Sequence, residues 1–148
     1  MTILNSMDVG AKAVGVHGTR MNIIAKNVAN LDTPNYVRKI PVLNSTDDVS
    51  FAGLLNVMKD DMFANGNVPF TSGSVALSGV VEDPTLGDRL YRPGHPDADA
   101  NGYIRASNVN PLVEFGDASM AQRAYEASLA VVKISKSMAD RAVELGNG

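Results

Sequence analysis

Met7, Val14, Met21 and Val28 recur every seven residues, and Ile3, Gly10, His17, Ile24 and Leu31 form a companion row beside them. Leu4, Ala11, Gly18 and Ala25 widen the stripe. Two rows sustained over four heptads make a coiled-coil-like seam, on a helix that would be roughly 45 Å long. The backbone resists this helix. Gly10, Gly15 and Gly18 each cost about 1 kcal/mol relative to Ala in a helix interior. Val9, Val14, Val16, Ile23, Ile24 and Val28 are β-branched, and Asn22, Asn27 and Asn30 compete for local backbone bonds. A stripe this regular on a backbone this reluctant needs a partner helix, and alone the segment is expected to be largely unfolded.

The partner is expected at the other end of the chain. Met120, Ala124, Ala127, Val131, Ile134, Met138 and Leu145 follow a 4,3,4,3 spacing, with the polar Arg141 as one member of the row. Here propensity agrees with pattern, since Met120 to Ala127 is dense in good helix formers. Asn110-Pro111 supplies a capping side chain followed by Pro at the first helical position, and Gly146 a stop.

Between these arms the chain changes character. Ser74–Val81, Asp88–Arg92 and Tyr103–Ala106 are short and β-branched or alternating, punctuated by Asp83-Pro84, Arg92-Pro93-Gly94 and Asn101-Gly102. They read as a small antiparallel β unit. Phe51–Met62 suits a short helix or a strand, and Met62–Gly73 suits a loop. The expected class is α+β: long terminal helices packing as a coiled-coil-like pair, with a small antiparallel β domain inserted between them. The divisions fall at 1–36, 37–109 and 110–148.

Several function classes are disfavoured. The 148 residues contain no Cys, which removes thiol nucleophiles, disulfides and thiolate metal sites. No uncharged apolar run approaches the ~20 residues of a membrane span. Asp8 and Lys12 interrupt the N-terminal apolar residues, so no cleavable signal peptide is expected. The net charge of −3 divides unevenly, with +3 on residues 1–39, −5 on 40–110 and −1 on 111–148. An acidic middle argues against nucleic acid as a partner, whereas opposite charge at different places suits contact between copies.

Candidate chemistry is sparse. Asp97-Ala98-Asp99-Ala100-Asn101-Gly102 matches the first half of a calcium loop of the EF-hand type, but Asn108 stands where the bidentate Glu belongs. An Asx-rich turn leading into a strand at Tyr103 is the competing reading. His95-Pro96-Asp97 spells the co-chaperone tripeptide, without the flanking helices that tripeptide needs. His17 falls in the apolar seam, facing a neighbouring helix. No Ser-His-Asp spacing, phosphate-cradling Gly loop or metal-spaced His pair stands out. The expectation is neither enzyme nor cofactor protein.

Thr33-Pro34-Asn35-Tyr36 fits a type II turn, with Asn tolerating positive φ at the third position. Pro34 also ends the helix before Thr33, and Tyr36 to Pro41 leaves extended. Asn27-Val28-Ala29-Asn30 followed by Thr33-Pro34-Asn35-Tyr36 resembles the N-terminal signature of bacterial flagellar axial proteins of the rod and hook class. In those proteins a run N-[IV]-A-N-x-x-T-P-G-Y follows a heptad-patterned helix. Glu82-Asp83-Pro84, Arg89-Leu90-Tyr91, the long run from Pro93 to Tyr103, Asn108-Val109-Asn110 and Arg123-Ala124-Tyr125-Glu126-Ala127 are similar to the FlgC family of proximal rod proteins. Asn35 replaces the family's usual Gly, and Lys26 and Ser128 replace usual Asn residues.

The resemblance implies a structural subunit of the flagellar proximal rod. Such a subunit self-assembles through its terminal helices into the helical drive shaft of the basal body, in the periplasmic space. Its implied partners are other copies of itself, other rod and basal-body proteins and the flagellar type III export apparatus, with no direct membrane insertion. The assembly residues expected from the two seams are Ile3, Met7, Val14, Met21, Val28 and Leu31 on one helix, and Met120, Val131, Ile134, Met138 and Leu145 on the other. They would pack within one subunit or between adjacent ones. The alternative is a soluble monomeric binding module, with a self-sufficient helical hairpin and a weak calcium-type loop.

Overall fold

The computed structural model describes residues 3–45 and 74–146, and the segments Phe51–Met62 and Met62–Gly73 discussed above lie outside them. The element order is α1 (Ile3–Ala29), β1 (Lys39–Ser45), β2 (Val75–Glu82), β3 (Arg89–Tyr91), β4 (Tyr103–Arg105) and α2 (Pro111–Gly146). This is an α+β chain with the β structure inserted between two long helices. The start of α2 is capped by Asn110, whose Oδ1 accepts the Leu112 N–H at 3.0 Å, with Pro111 in the first turn where no partner for an N–H would exist.

The helices pack antiparallel. Gly10 near the start of α1 faces Ser128 and Val132 of α2, while Arg20 lies 3.6 Å from Asp117 and Asn27 bonds Glu114. A Cβ added at Gly10 would stand 2.7 Å from Val132 Cγ2. The glycine that weakens α1 as an isolated helix is therefore what lets α2 approach.

That close approach selects a different row of α2 from the expected one. Ala121 and Ser135 are buried, and Ala118, Tyr125, Ser128, Val132 and Ala139 are half-buried. These residues keep the 4,3,4,3 spacing but are displaced by one position from Met120, Ala124, Ala127, Val131, Ile134 and Met138. One residue turns the helix by about 100°, so most of the large apolar row is turned off the α1 contact; Val131, whose Cγ1 would lie 3.6 Å from a Cβ on Gly10, stands at its edge. Most of this inner row is small (Ala118, Ala121, Ser128, Ser135, Ala139), with Tyr125 and Val132 packed among them.

The β structure consists of two separate two-stranded ladders instead of one sheet. β1 and β2 pair antiparallel from Lys39↔Glu82 to Ser45↔Val75, with an irregularity between Val42 and Leu43. β3 and β4 pair through Arg89↔Arg105, Leu90↔Ile104 and Tyr91↔Tyr103. Asp83-Pro84 interrupts the path between β2 and β3, and each ladder anchors elsewhere. The first joins the end of α1. The second joins the corner, where the Asn35 N–H donates to the Arg105 carbonyl at 2.9 Å.

The buried apolar residues are few among those described: Ile23, Ile24 and Ala121 on the helices, and Ile104 and Val109 on the path from β4 to α2. Gly10→Val should force the helices apart and lower stability by about 1–3 kcal/mol, measured by denaturant unfolding followed by circular dichroism. An unchanged midpoint would mean that this contact is slack.

Candidate assembly interface

The corner between α1 and β1 is a hydrogen-bonded assembly. The Tyr36 N–H donates to the Thr33 carbonyl at 3.3 Å, and Asn35 has φ 61°, closing the Thr33–Tyr36 turn. Asn30 secures the helix end: its Nδ2 donates to the Lys26 carbonyl at 2.8 Å and its Oδ1 accepts the Thr33 hydroxyl at 3.2 Å.

Asn27 does something the sequence did not suggest. It is 1 % exposed and all four hydrogen-bonding positions of its amide are filled. Nδ2 donates to the Lys39 carbonyl (2.8 Å) and to Glu114 Oε2 (3.1 Å). Oδ1 accepts the Lys39 N–H (3.0 Å) and the Tyr36 hydroxyl (3.1 Å). Burial, then the charges of Glu114 and Glu82, push the Tyr36 phenol up, so it stays protonated as the donor this arrangement needs.

Glu114 is fully buried at the first turns of α2 and is matched by Arg38, whose Nε donates to Oε1 at 2.5 Å. The same guanidinium reaches Asp117 (3.0 Å) and Asp83 (3.8 Å). Burial, the largest single influence on Arg38, lowers its pKa. The Glu114 hydrogen bond and the charges of Glu114, Asp117 and Asp83 together outweigh burial and raise it. The Arg38 N–H donates to Asn108 Oδ1 at 2.6 Å, and Asn108 Nδ2 donates to the Thr85 carbonyl at 2.7 Å. One connected network thus ties α1, the corner, β1, the β2–β3 connection and α2. The visible signals for it were a lone Arg entering a strand and a Glu just inside an N-terminal helix turn. Neither specifies its partner.

The seam residues distribute unevenly. Met7, Val14, Met21, Val28 and Leu31 are half-buried on α1; the side chain of Ile3 lies outside the described residues. On α2, Met120, Val131, Ile134, Met138 and Leu145 are exposed, from 46 % at Val131 to 85 % at Leu145. Within one chain, then, the α2 set keeps nearly half or more of its surface exposed, and of its members Val131 stands beside α1, at Gly10. His17 is half-buried, and its buried Nδ1 has no hydrogen-bond partner among the described residues; burial and then the charge of Arg20 lower its pKa.

The Asp97–Gly102 loop is an Asx-type turn. Asp99 Oδ1 accepts the N–H groups of Asn101 and Tyr103, both at 2.9 Å, and Oδ2 pairs with Arg89 at 3.0 Å. Its carboxylate is occupied by the chain itself. The Tyr103 N–H, then the Asn101 N–H and Arg89, outweigh burial and hold Asp99 below the ordinary 3.8.

Residues 7–36, which are α1 with its corner, match the family described as flagella basal body rod protein. Residues 100–145 match the family described as flagellar basal body rod FlgEFG protein C-terminal. The flagellar basal-body rod protein FlgC of Bacillus subtilis (strain 168) is 33 % identical, with 99 % of each chain covered. The chain belongs to the FlgC family of flagellar basal-body rod proteins. FlgC of Buchnera aphidicola subsp. Acyrthosiphon pisum (strain APS) is 31 % identical over 93 % of each chain, and FlgC of Salmonella typhimurium (strain LT2) 30 % over 99 % of each. As a FlgC-family member the chain is a structural subunit of the flagellar rod, located in the basal body and assembling with other rod components. The binding-module alternative is not favoured. The two matched segments are the two that meet at Asn27 and Glu114.

Arg38→Ala leaves a fully buried carboxylate without its cation, and should cost about 3–5 kcal/mol. Arg38→Ala combined with Glu114→Leu should cost less than Arg38→Ala alone, measured by urea unfolding; equal or additive losses would contradict a coupled pair. For Asp99, a folded pKa below the unfolded value means its contribution is fully present above pH 3.8 and lost as pH falls through the folded value. The Asn101 and Tyr103 amide shifts should therefore move only below pH 3.8, and Asp99→Asn should abolish that dependence in a nuclear magnetic resonance titration.

Proposed function

We propose that the chain is a subunit of the proximal rod that self-assembles through its terminal helices, residues 1–36 and 110–148, with residues 37–109 lying outside the helical core. The observation that supports this reading is the exposed apolar row of α2: Met120, Val131, Ile134, Met138 and Leu145 stand on one face and are 46–85 % exposed. A regular row of large apolar side chains left in water is a surface awaiting a partner. Each such side chain, once covered, contributes roughly 1.5–3 kcal/mol.

The half-buried row Met7, Val14, Met21 and Val28 on α1 has the same seven-residue repeat and is the counterpart proposed for a neighbouring subunit. Contacts between two different faces propagate helically when the rotation between copies does not close a ring. Delivery by the flagellar type III export apparatus and assembly in the periplasmic space complete the proposal. Catalysis and cofactor binding have no part in it.

Ile134 is exposed, so Ile134→Asp should leave the helix pair folded while excluding the subunit from rods. The expected result is an unchanged melting curve with loss of motility and of basal-body incorporation. Motile cells with normal rods would overturn the proposed use of this face.

A further inference from the structure

One polar atom in the helix seam has neither a partner nor access to water. His17 stands one heptad after Gly10 and one before Ile24 on α1, on the face that meets α2. Gly10 approaches Ser128 and Val132, and Gly18 lies against Tyr125. His17 therefore sits opposite the stretch Ala121–Ser128 of α2. Its Nδ1 is buried and unpartnered among the described residues. In a neutral imidazole one ring nitrogen is only an acceptor, whereas the protonated ring carries an N–H at both. A buried charge with no counterpart costs far more than an idle acceptor.

The surroundings offer that charge no counterpart. On α1 the charged group that acts on the ring is Arg20, another cation. Across the seam, α2 presents the Tyr125 phenol. Its Asp117 is engaged by Arg38 at 3.0 Å and Arg20 at 3.6 Å. Its Arg123 and Glu126 are exposed, and Glu126 accepts from Gln122 at 3.0 Å. The charged residues of β1 and β2 are Lys39 and Glu82, which face each other at the corner end of the ladder. We propose that His17 is an acid-operated release for the helix pair, in which protonating the ring puts a cation into the seam and loosens α1 from α2. Burial and Arg20 lower the folded pKa below the ordinary 6.5. The stabilisation is therefore fully present above pH 6.5 and is lost as pH falls through the folded value. The fold thus has a means of parting its terminal helices at a pH where exposed carboxylates are still ionised.

The chain has two histidines, which makes the test clean. His95 Nδ1 accepts the Asp97 N–H at 3.1 Å and lies 3.7 Å from the Asp97 carboxylate, so a proton there meets an anion. Urea unfolding of the full chain is measured at pH 7.5 and 5.5. The unfolding equilibrium constant should rise about threefold or more, toward the ceiling of about tenfold that an unfolded pKa of 6.5 permits. His95→Gln should keep this rise and His17→Gln should abolish it. A rise that survives in His17→Gln, or its absence from the unmodified chain, overturns the inference. Should His17→Gln fail to fold, a nuclear magnetic resonance titration decides, with His17 assigned by comparison with His95→Gln. The His17 ring should titrate below pH 6.5 and shift the Tyr125 and Ser128 amides as it does so. A midpoint at or above 6.5, or α2 amides indifferent to it, overturns the inference equally.

Discussion

A carboxylate with no exposure to water, Glu114, sits where the two ends of the chain meet, and it is viable only because Arg38 and Asn27 reach it. Stripping water from such a group costs several kcal/mol, which only charge pairing and well-formed hydrogen bonds can offset. Glu114 and its two partners come from three separate places in the sequence: the first turns of α2, the last turns of α1 and the segment leaving the corner. Their convergence fixes how the β ladders hang from the helices. With so few buried apolar residues, the hydrophobic effect alone gives this junction little directional definition. The polar network supplies it, through bonds satisfied in one arrangement.

The helix pair obeys a different rule. Its seam on α2 is mostly small, with Ala121, Ser128 and Ser135 facing α1 and only Tyr125 and Val132 adding bulk, so that closeness at Gly10 counts for more than apolar volume. The bulk is displaced by one position, onto the outer face. A helix with a small-residue face and a large-residue face can satisfy an intrachain partner and still retain most of its binding capacity. For a subunit of a polymer that division is economical, because the monomer holds its shape without covering its large apolar side chains.

Much of the fold could be read from the residues. The period of seven, the Asn110-Pro111 start, the Thr33–Tyr36 corner and the short strands after Ser74 all follow local rules of backbone and side chain. What escaped was orientation. The 4,3,4,3 pattern fits two adjacent rows on α2, and hydrophobicity favours the outer one. Only the approach at Gly10 decides which row faces inward, and that is a property of two helices together. The network escaped for a related reason. Asn27 looked like a residue that weakens a helix by bonding its own backbone, as Asn30 does. Its partners instead lie 12 and 87 positions away, and no local pattern encodes such a distance. The division of the β structure into two ladders likewise depends on what each strand meets across space.

The bonds between Asn27 and Lys39 have a further consequence for solubility. Backbone groups at alternate positions of a strand point to the same side, so Lys39 and Pro41 face the edge of β1 turned away from β2. At Lys39 both the N–H and the carbonyl are taken by one side-chain amide. At Pro41 there is no N–H to offer. An open strand edge invites any other strand to add to it, and a protein held at high local concentration is exposed to that hazard. Here the edge is plugged by a residue of the preceding helix. At this first part of β1, Lys39 to Pro41, another strand finds no backbone group to pair with.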